Sequence, residues 1–183
     1  PASTWAMNAA VPAFVSERYA GARTVVFSTG NVYPLTAPDR GGSSETDAPQ
    51  PVGEYAFSCL ARERLFTAAA GRHDSPVAIV RLNYAHDLRY GVLTDLATRI
   101  ARGQPVSLGM SFVNVIWQGD ANALALAALA HATAPEPFVV NVAGPDILRV
   151  TDLARRLGSR LAVEAVFSGG ENASAVLSNA SRR

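Results

Sequence analysis

The sequence contains no lysine, and all 16 of its basic residues are arginines scattered along a chain of 183 residues. They are balanced by 15 acidic residues, so that the formal net charge is only +1. A nucleic-acid surface needs basic residues concentrated on one face or in one run. The distribution of charge therefore argues against nucleic acid as a partner.

Cysteine is almost absent as well. Cys59 is the single cysteine, which excludes an intramolecular disulfide. No Cys/His group has the spacing of a zinc site, so we expect no bound metal. A reducing cytoplasm is the compartment that fits a single free thiol best.

Long apolar runs are missing too. A membrane-spanning helix needs roughly 20 consecutive apolar residues, and residues 1–20 lack the basic start and apolar core of a signal peptide. We therefore expect neither export nor membrane insertion. The composition, 49% hydrophobic and 17% charged, is that of a globular protein that can bury an ordinary core.

The apolar residues fall into alternating helical and strand-like segments. Their spacing predicts helices over 5–19, 54–70, 93–103 and 121–132, the last with Asp120 as N-cap, and a further helix opened by Thr151 and Asp152. Strands are predicted over 24–28, 75–82, 112–117 and 138–142. The strands are continuous apolar runs, which are typical of a parallel sheet covered on both faces, so the predicted fold class is α/β.

Candidate chemistry lies where the first predicted strand ends. Thr29 closes that strand, a loop rich in Pro, Gly and Ser follows over 34–53, and Tyr55 and Cys59 lie one turn apart on the next helix. Parallel α/β sheets bind their ligands beyond the carboxyl ends of the strands. We therefore expect Thr29, Tyr55 and Asn83, which follows the second strand, to converge at one end of the sheet.

Several segments in this order resemble the extended short-chain dehydrogenase/reductase family, the NAD-dependent epimerases and dehydratases. They are VVFSTGNVY at 25–33, SETD at 44–47, PVGEYAFSC at 51–59, VRLNY at 80–84, VIWQGD at 115–120 and VNVAG at 140–144. The resemblance implies the C-terminal part of a parallel-sheet Rossmann-like domain with a small substrate-binding α/β portion. Residues 1–83 would be the C-terminal half of the NAD(P)-binding domain, and 84–183 mainly substrate-side elements interleaved with its last strands.

The resemblance also implies catalytic roles. Tyr55 matches the tyrosine that serves as acid/base in hydride transfer, and Thr29 matches the hydroxyl residue that binds the same substrate oxygen. Cys59 stands where the family motif Tyr-x-x-x-Lys has its lysine, and a neutral thiol cannot supply the cation that lowers the tyrosine pKa. Arg62 lies seven residues after Tyr55, on the same helix face, and is the candidate replacement. Asn8 is a candidate for the asparagine that the family keeps on the preceding helix.

Binding residues follow from the same resemblance. The cofactor would be NAD or NADP, contacted by Tyr55, Ser28, Asn83 and Arg62. The substrate, a small molecule and in this family a sugar derivative, would be contacted by Asn31, Tyr33 and Tyr84. A homodimer through the helices that begin near Trp5 and Glu54 is also implied.

A glycine-rich pyrophosphate-binding turn is absent, since neither G-x-G-x-x-G nor G-x-x-G-x-x-G occurs in the sequence. We therefore expect the chain to be part of a longer polypeptide. The predicted function is that of an NAD(P)-dependent epimerase, dehydratase or reductase acting on a sugar or nucleotide sugar. The alternative is an atypical member that binds a dinucleotide for structure or sensing, as the loss of the lysine would permit.

Overall fold

The computed structural model describes residues 1–181. Its helices are α1 (Ala2–Trp5), α2 (Val11–Arg18), α3 (Gly53–His73), α4 (Val92–Ala101), α5 (Gln118–Ala128) and α6 (Val150–Leu161). Its strands are β1 (Thr24–Thr29), β2 (Val77–Leu82), β3 (Ala85–His86), β4 (Val106–Ser107), β5 (Phe112–Val113), β6 (Ile116–Trp117), β7 (Phe138–Val142), β8 (Leu148–Arg149) and β9 (Phe167–Ser168).

The central sheet is parallel and consists of β1, β2 and β7 in that order. Its register places Thr29 opposite Leu82, and Leu82 opposite Val142, so all three strands end at the same edge. The other strands form two-residue pairs, β3 with β6 and β4 with β9 in parallel and β5 with β8 antiparallel. The predicted α/β class with a parallel sheet is confirmed.

Both faces of the sheet are covered, as the apolar strand sequences require. On one face, Phe66 and Ala70 of α3 pack on Val26, Val77 and Ile79. The opposite face is covered by α5 and the segment after it, through the apolar residues Ala121, Ala128 and Ala132 against Ala78, Val80 and Val142. A second cluster joins α4, α6 and the short strands β4, β5, β8 and β9 beside this three-layer core.

Two predicted elements differ from the structure. The predicted strand 112–117 is divided into β5 and β6, because the side chain of the intervening Asn114 is buried and donates to the Gly144 and Ser178 carbonyls. Helix α5 starts at Gln118 with Trp117 at the N-cap position, so Asp120 lies within the first turn and the predicted Asp120 cap is wrong.

The N-terminal helix contains a further departure from regular geometry. Between α1 and α2, residues Ala6–Ala10 form a π-helical turn that includes Asn8. Such turns widen the backbone spacing locally and often occur at functional sites. Across residues 1–181, every helix is too short or too polar to cross a membrane.

Candidate active site

A cavity of about 320 Å³ opens at the carboxyl ends of β1 and β2. Six of the predicted site residues line it, namely Ser28, Thr29, Asn31, Tyr55, Asn83 and Tyr84. The expected convergence of Thr29, Tyr55 and Asn83 is thus what the structure has. The cavity lies where the parallel strands of an α/β sheet are expected to bind ligands.

Thr29 is held in place by the turn that follows β1. Its hydroxyl oxygen accepts hydrogen bonds from the backbone N–H of Asn31 at 3.2 Å and from the Asn31 amide at 3.1 Å. A hydroxyl has two acceptor positions and one donor hydrogen. Because both acceptor positions are used, Thr29 can bond a further oxygen only as a donor, and the Tyr55 hydroxyl is within reach of that hydrogen bond.

Gly30 allows this turn to approach the floor of the cavity. A Cβ at Gly30 would lie only 2.8 Å from the side-chain oxygens of both Asn83 and Ser178. Real Cβ atoms essentially never come that close to another heavy atom. A side chain at this position would therefore have to displace the side chains of Asn83 and Ser178.

Tyr55 lies at the mouth of the cavity and is 53% exposed. Partial burial of the hydroxyl is the main influence that raises its pKa, and the neighbouring Cys59 raises it further. A polar contact with Thr29 and the charge of Arg62 act in the opposite direction, but the net pKa stays above its ordinary value. At neutral pH the hydroxyl is therefore protonated, although it is a weaker acid than an unperturbed tyrosine.

Cys59 is only 1% exposed and packs with Val32, Tyr33 and Leu60 below Tyr55. Burial raises the pKa of its thiol, although the Arg62 charge and a hydrogen bond with Tyr55 oppose the rise. Cys59 is thus a neutral neighbour of Tyr55 at neutral pH. It supplies no positive charge beside Tyr55.

Arg62 is close enough to lower the pKa of both Tyr55 and Cys59, but its guanidinium is engaged elsewhere. It donates to the Phe27 carbonyl and to the side-chain oxygen of Asn8 in the π-helical turn. The Asn8 amide in turn donates to Ser58, one residue before Cys59, at 3.0 Å. These contacts connect Asn8 and Arg62 at the back of α3 without bringing Arg62 into the lining of the cavity.

The structure does not bring Tyr33 to the cavity. Tyr33 is 3% exposed, and its hydroxyl donates to Asn141 at 2.9 Å and accepts from Arg81 at 2.7 Å. The predicted substrate contact at Tyr33 thus lies behind the cavity wall. Ser28 lines the cavity, but its hydroxyl donates to Glu63.

Asn83 is 2% exposed, and its amide donates to Asn114 at 2.7 Å and to the Val176 carbonyl at 3.3 Å. These bonds attach the end of β2 to the segment around 176–178. Asn83 therefore shapes the cavity as well as lining it.

Sequence reasoning missed two groups of residues. Tyr90 and Gln118 also line the cavity, and the Tyr90 hydroxyl donates to Gln118 at 2.8 Å. No sequence signal identifies this contact, since the two residues are 28 positions apart. Glu63 and Arg81 could have been found, because each is a charged residue within an otherwise apolar helix face or strand.

The chain is similar to known proteins in its sequence pattern and in its fold. The model of the NAD-dependent epimerase/dehydratase family matches residues 1–143. The UDP-glucuronic acid 4-epimerase of Bacillus cereus in complex with NAD is 19% identical with a TM-score of 0.76, over 90% of this chain and 56% of that one. WbmG of Bordetella bronchiseptica in complex with NAD and UDP is 19% identical with a TM-score of 0.74, over 97% of this chain and 58% of that one.

A UDP-glucose 4-epimerase of Thermotoga maritima in complex with UDP-glucose is 17% identical with a TM-score of 0.74, over 97% of this chain and 61% of that one. The chain thus spans less than two thirds of each of these structures. At such identities the likeness shows the fold, and a search of curated proteins found no match. The family model covers more than half of the residues. The chain belongs to the NAD-dependent epimerase/dehydratase family.

Proposed function

We propose that the chain carries the catalytic tyrosine of an NAD(P)-dependent sugar epimerase, dehydratase or reductase. The observation that supports this most directly is the cavity that Thr29 and the half-exposed Tyr55 share at the carboxyl ends of β1 and β2. Similar structures contain NAD with UDP or a UDP-sugar, which favours a nucleotide sugar as the substrate. The complete gene product would act as the enzyme, in the cytoplasm.

The residues of the cavity fit the nicotinamide end of the cofactor. The cavity is lined mainly by neutral polar side chains, and Tyr55 and Asn83 would contact the nicotinamide riboside. Ser28 and Arg62, also proposed as cofactor contacts, have their polar groups bonded to Glu63 and to Asn8 and Phe27. When bound, NAD(P) would accept or deliver a hydride at the reacting carbon.

Tyr55 would supply the proton that hydride transfer to a carbonyl requires. Because its pKa lies above neutral pH, the Tyr55 hydroxyl is protonated and would donate its proton to the substrate oxygen as hydride from the reduced cofactor reaches the carbonyl carbon. The hydroxyl hydrogen of Thr29 would be donated to the same oxygen and fix its position. The reverse direction requires tyrosinate, which the neutral Cys59 does not favour. Asn31 and Tyr84, in the cavity wall, would contact the rest of the sugar.

A specific observation supports the alternative, an atypical member that binds a dinucleotide without efficient turnover. Burial and Cys59 raise the pKa of Tyr55, whereas a catalytic base works best with a pKa near the operating pH. The cation nearest to Tyr55 along α3, Arg62, is shared with Asn8 and the Phe27 carbonyl. Binding of NAD with no turnover would favour this function over the enzyme.

We also propose a homodimer through α1, α2 and α3. Large apolar side chains on these helices and on the π-helical turn between α1 and α2 are exposed, with Met7 at 64%, Phe14 at 76% and Phe57 at 52%. Exposed apolar patches of this kind mark protein interfaces. Sedimentation of the complete gene product would test this proposal.

The experiment for the main proposal uses the complete gene product with NAD, NADP and a panel of UDP-sugars. Tyr55→Phe should lower turnover about 10²- to 10⁴-fold, the usual contribution of a general acid. Thr29→Val should also lower turnover, while Tyr19→Phe, at an exposed position on the end of α2, is the matched control. Unchanged turnover in Tyr55→Phe would refute the acid/base role.

A further inference from the structure

Beneath the cavity lies an ion pair that neither the cofactor nor the substrate would contact. The side chains of Arg81 on β2 and Glu63 on α3 are 7% and 5% exposed. The guanidinium donates to both carboxylate oxygens, with Nε–Oε1 at 3.0 Å and Nη2–Oε2 at 2.7 Å. Because two parallel hydrogen bonds join two planar groups, the pair fixes orientation as well as distance.

The remaining polar atoms of the pair are also bonded. Arg81 Nη1 donates to the Tyr33 hydroxyl at 2.7 Å, with the guanidinium carbon 4.8 Å from the ring centroid, and Tyr33 donates to Asn141 on β7. The Ser28 hydroxyl donates to Glu63 Oε1. Burial acts to lower the pKa of Arg81, but the hydrogen bond and charge of Glu63 outweigh it and the pKa rises, so the guanidinium stays charged.

These contacts reach both elements that carry the proposed acid/base pair. Glu63 lies eight residues after Tyr55 on α3, close to the same helix face. Ser28 is the residue directly before Thr29 on β1. A rotation or slide of α3 against the sheet would therefore break the two hydrogen bonds from Arg81 to Glu63 and at the same time separate Tyr55 from Thr29.

We propose that Glu63 and Arg81 are positioning residues that set the rotation and axial position of α3 against β1, and so the separation of the Tyr55 and Thr29 hydroxyls. This inference rests on the proposed function of Tyr55. A displacement of about 1 Å far from the reacting atoms can reduce a rate about 10²-fold, so a small change in α3 is enough.

Stability alone does not require charges at these two positions. Removing two charges from water is costly, and a buried ion pair can often be replaced by apolar residues of similar volume with little loss of stability. Two apolar side chains, however, can pack against each other in many orientations, whereas two parallel hydrogen bonds between a guanidinium and a carboxylate fix one orientation. This difference separates a positioning role from a merely stabilising one.

The test compares three variants of the complete gene product. Glu63→Leu/Arg81→Met replaces the pair by apolar residues. Arg81→Lys keeps the positive charge but cannot make the two parallel hydrogen bonds to Glu63. Glu17→Gln is the matched control, since it removes the ion pair of Glu17 with Arg72 of α3, whose side chains are 52% and 60% exposed. Urea unfolding, kcat and KM would be measured for each.

We expect the double variant to unfold near the urea concentration of the unaltered protein, yet to lose about 10- to 100-fold in kcat with KM nearly unchanged. Arg81→Lys should show the same split between kcat and KM, and Glu17→Gln should show neither effect. Full kcat in a folded double variant would overturn the proposal. If the double variant does not fold, Arg81→Lys with full kcat would overturn it.

A second measurement does not depend on turnover. The ionisation of Tyr55 can be followed by ultraviolet absorbance, with Tyr55→Phe as the blank. Because the contact with Thr29 lowers the pKa of Tyr55, that pKa should rise when α3 is released in Arg81→Lys. An unchanged pKa would overturn the positioning role, whereas an inactive unaltered protein would refute only the proposed function.

Discussion

Helix α3 packs beside the sheet at two levels, an upper one around Tyr55 and a lower one around Glu63, and the two levels differ in whether an acidic group has a cation as its partner. At the upper level, Tyr55 is half-exposed and its neighbour Cys59 is neutral. At the lower level, the buried Glu63 is joined to Arg81 by two hydrogen bonds. Both levels contain an acidic group, but only the lower one has a cation committed to it.

The difference shows that one end of a helix can be held firmly by a buried ion pair while the other end lacks a cation for its candidate acid/base residue. The lower level holds the helix against β1 and β2 through fully bonded charges. At the upper level the nearby cation is Arg62. Its charge lowers the pKa of Tyr55 and of Cys59, but its hydrogen bonds go to Asn8 and the Phe27 carbonyl. The structure therefore brings the predicted site residues Tyr55 and Thr29 together without a cation committed to Tyr55.

The largest expected effect is on the lower level. Arg81→Met leaves the Glu63 carboxylate buried without its cation, which should reduce the free energy of unfolding by about 3–5 kcal/mol. Urea unfolding measures this directly. The exposed pair of Glu17 and Arg72 supplies the control, because Glu17→Gln should change stability by at most ~1 kcal/mol. Equal losses in the two variants would remove the distinction between buried and exposed pairs.

Gly30, in the turn that follows β1, should tolerate a side chain poorly. In Gly30→Ala the added Cβ would displace Asn83 and Ser178, and we expect a loss of about 1–3 kcal/mol in unfolding free energy. Gly71→Ala is the control, since a Cβ at Gly71 on α3 meets nothing within 4 Å. It should stabilise the helix by ~0.5–1 kcal/mol. A neutral Gly30→Ala would contradict the close approach at the cavity floor.

The upper level can be tested by restoring a cation. Cys59→Lys should lower the pKa of Tyr55 by about one unit, equivalent to ~1.4 kcal/mol between the two protonation states, and raise turnover at neutral pH. Absorbance titration against Tyr55→Phe gives the pKa, and the uncharged Cys59→Met is the control. If Arg62 already supplies the cation, Cys59→Lys would do little and Arg62→Ala would abolish turnover.

The smallest expected effect concerns alkaline stability. Burial raises the pKa of Tyr84 in the folded protein, so its protonated form contributes stability that is fully present below the unfolded value near 10. That contribution is lost as the pH rises through the folded pKa. Tyr84→Phe should therefore flatten the fall in unfolding free energy above pH ~10. The same fall in the variant would contradict the assignment, and Tyr19→Phe is the exposed control.

Much of the fold could be predicted because the signals are local. The continuous apolar runs at 24–29 and 77–82 can satisfy their burial only inside a sheet covered on both faces. The strand at 138–142 was predicted with its bounds for the same reason. The short strands β3 and β4 could not be predicted, since each has two residues and depends on a partner far along the chain.

The candidate site divides in the same way. The order of Thr29, Tyr55 and Asn83 along the chain was enough to predict that they meet, because parallel strands end at a common edge. The sequence could not place the Tyr33 hydroxyl, which turns away from the cavity toward Arg81 and Asn141. The sequence also could not predict the hydrogen-bond partners of Arg62. Helical spacing determines the face of the helix on which a residue lies, but not the conformation of its side chain.

The sequence by itself determined the α/β class and the apolar strands of a parallel sheet, because both depend on residue type and short-range periodicity. It also predicted the neutral Cys59 at the position where the family resemblance implies a lysine. Only the tertiary structure decided which charges are paired. Glu63 and Arg81 are 18 residues apart, and Arg62 and Asn8 are 54 apart. Their contacts exist because α3 packs on the sheet and on the N-terminal helix, and the burial that raises the pKa of Tyr55 is a product of the same packing.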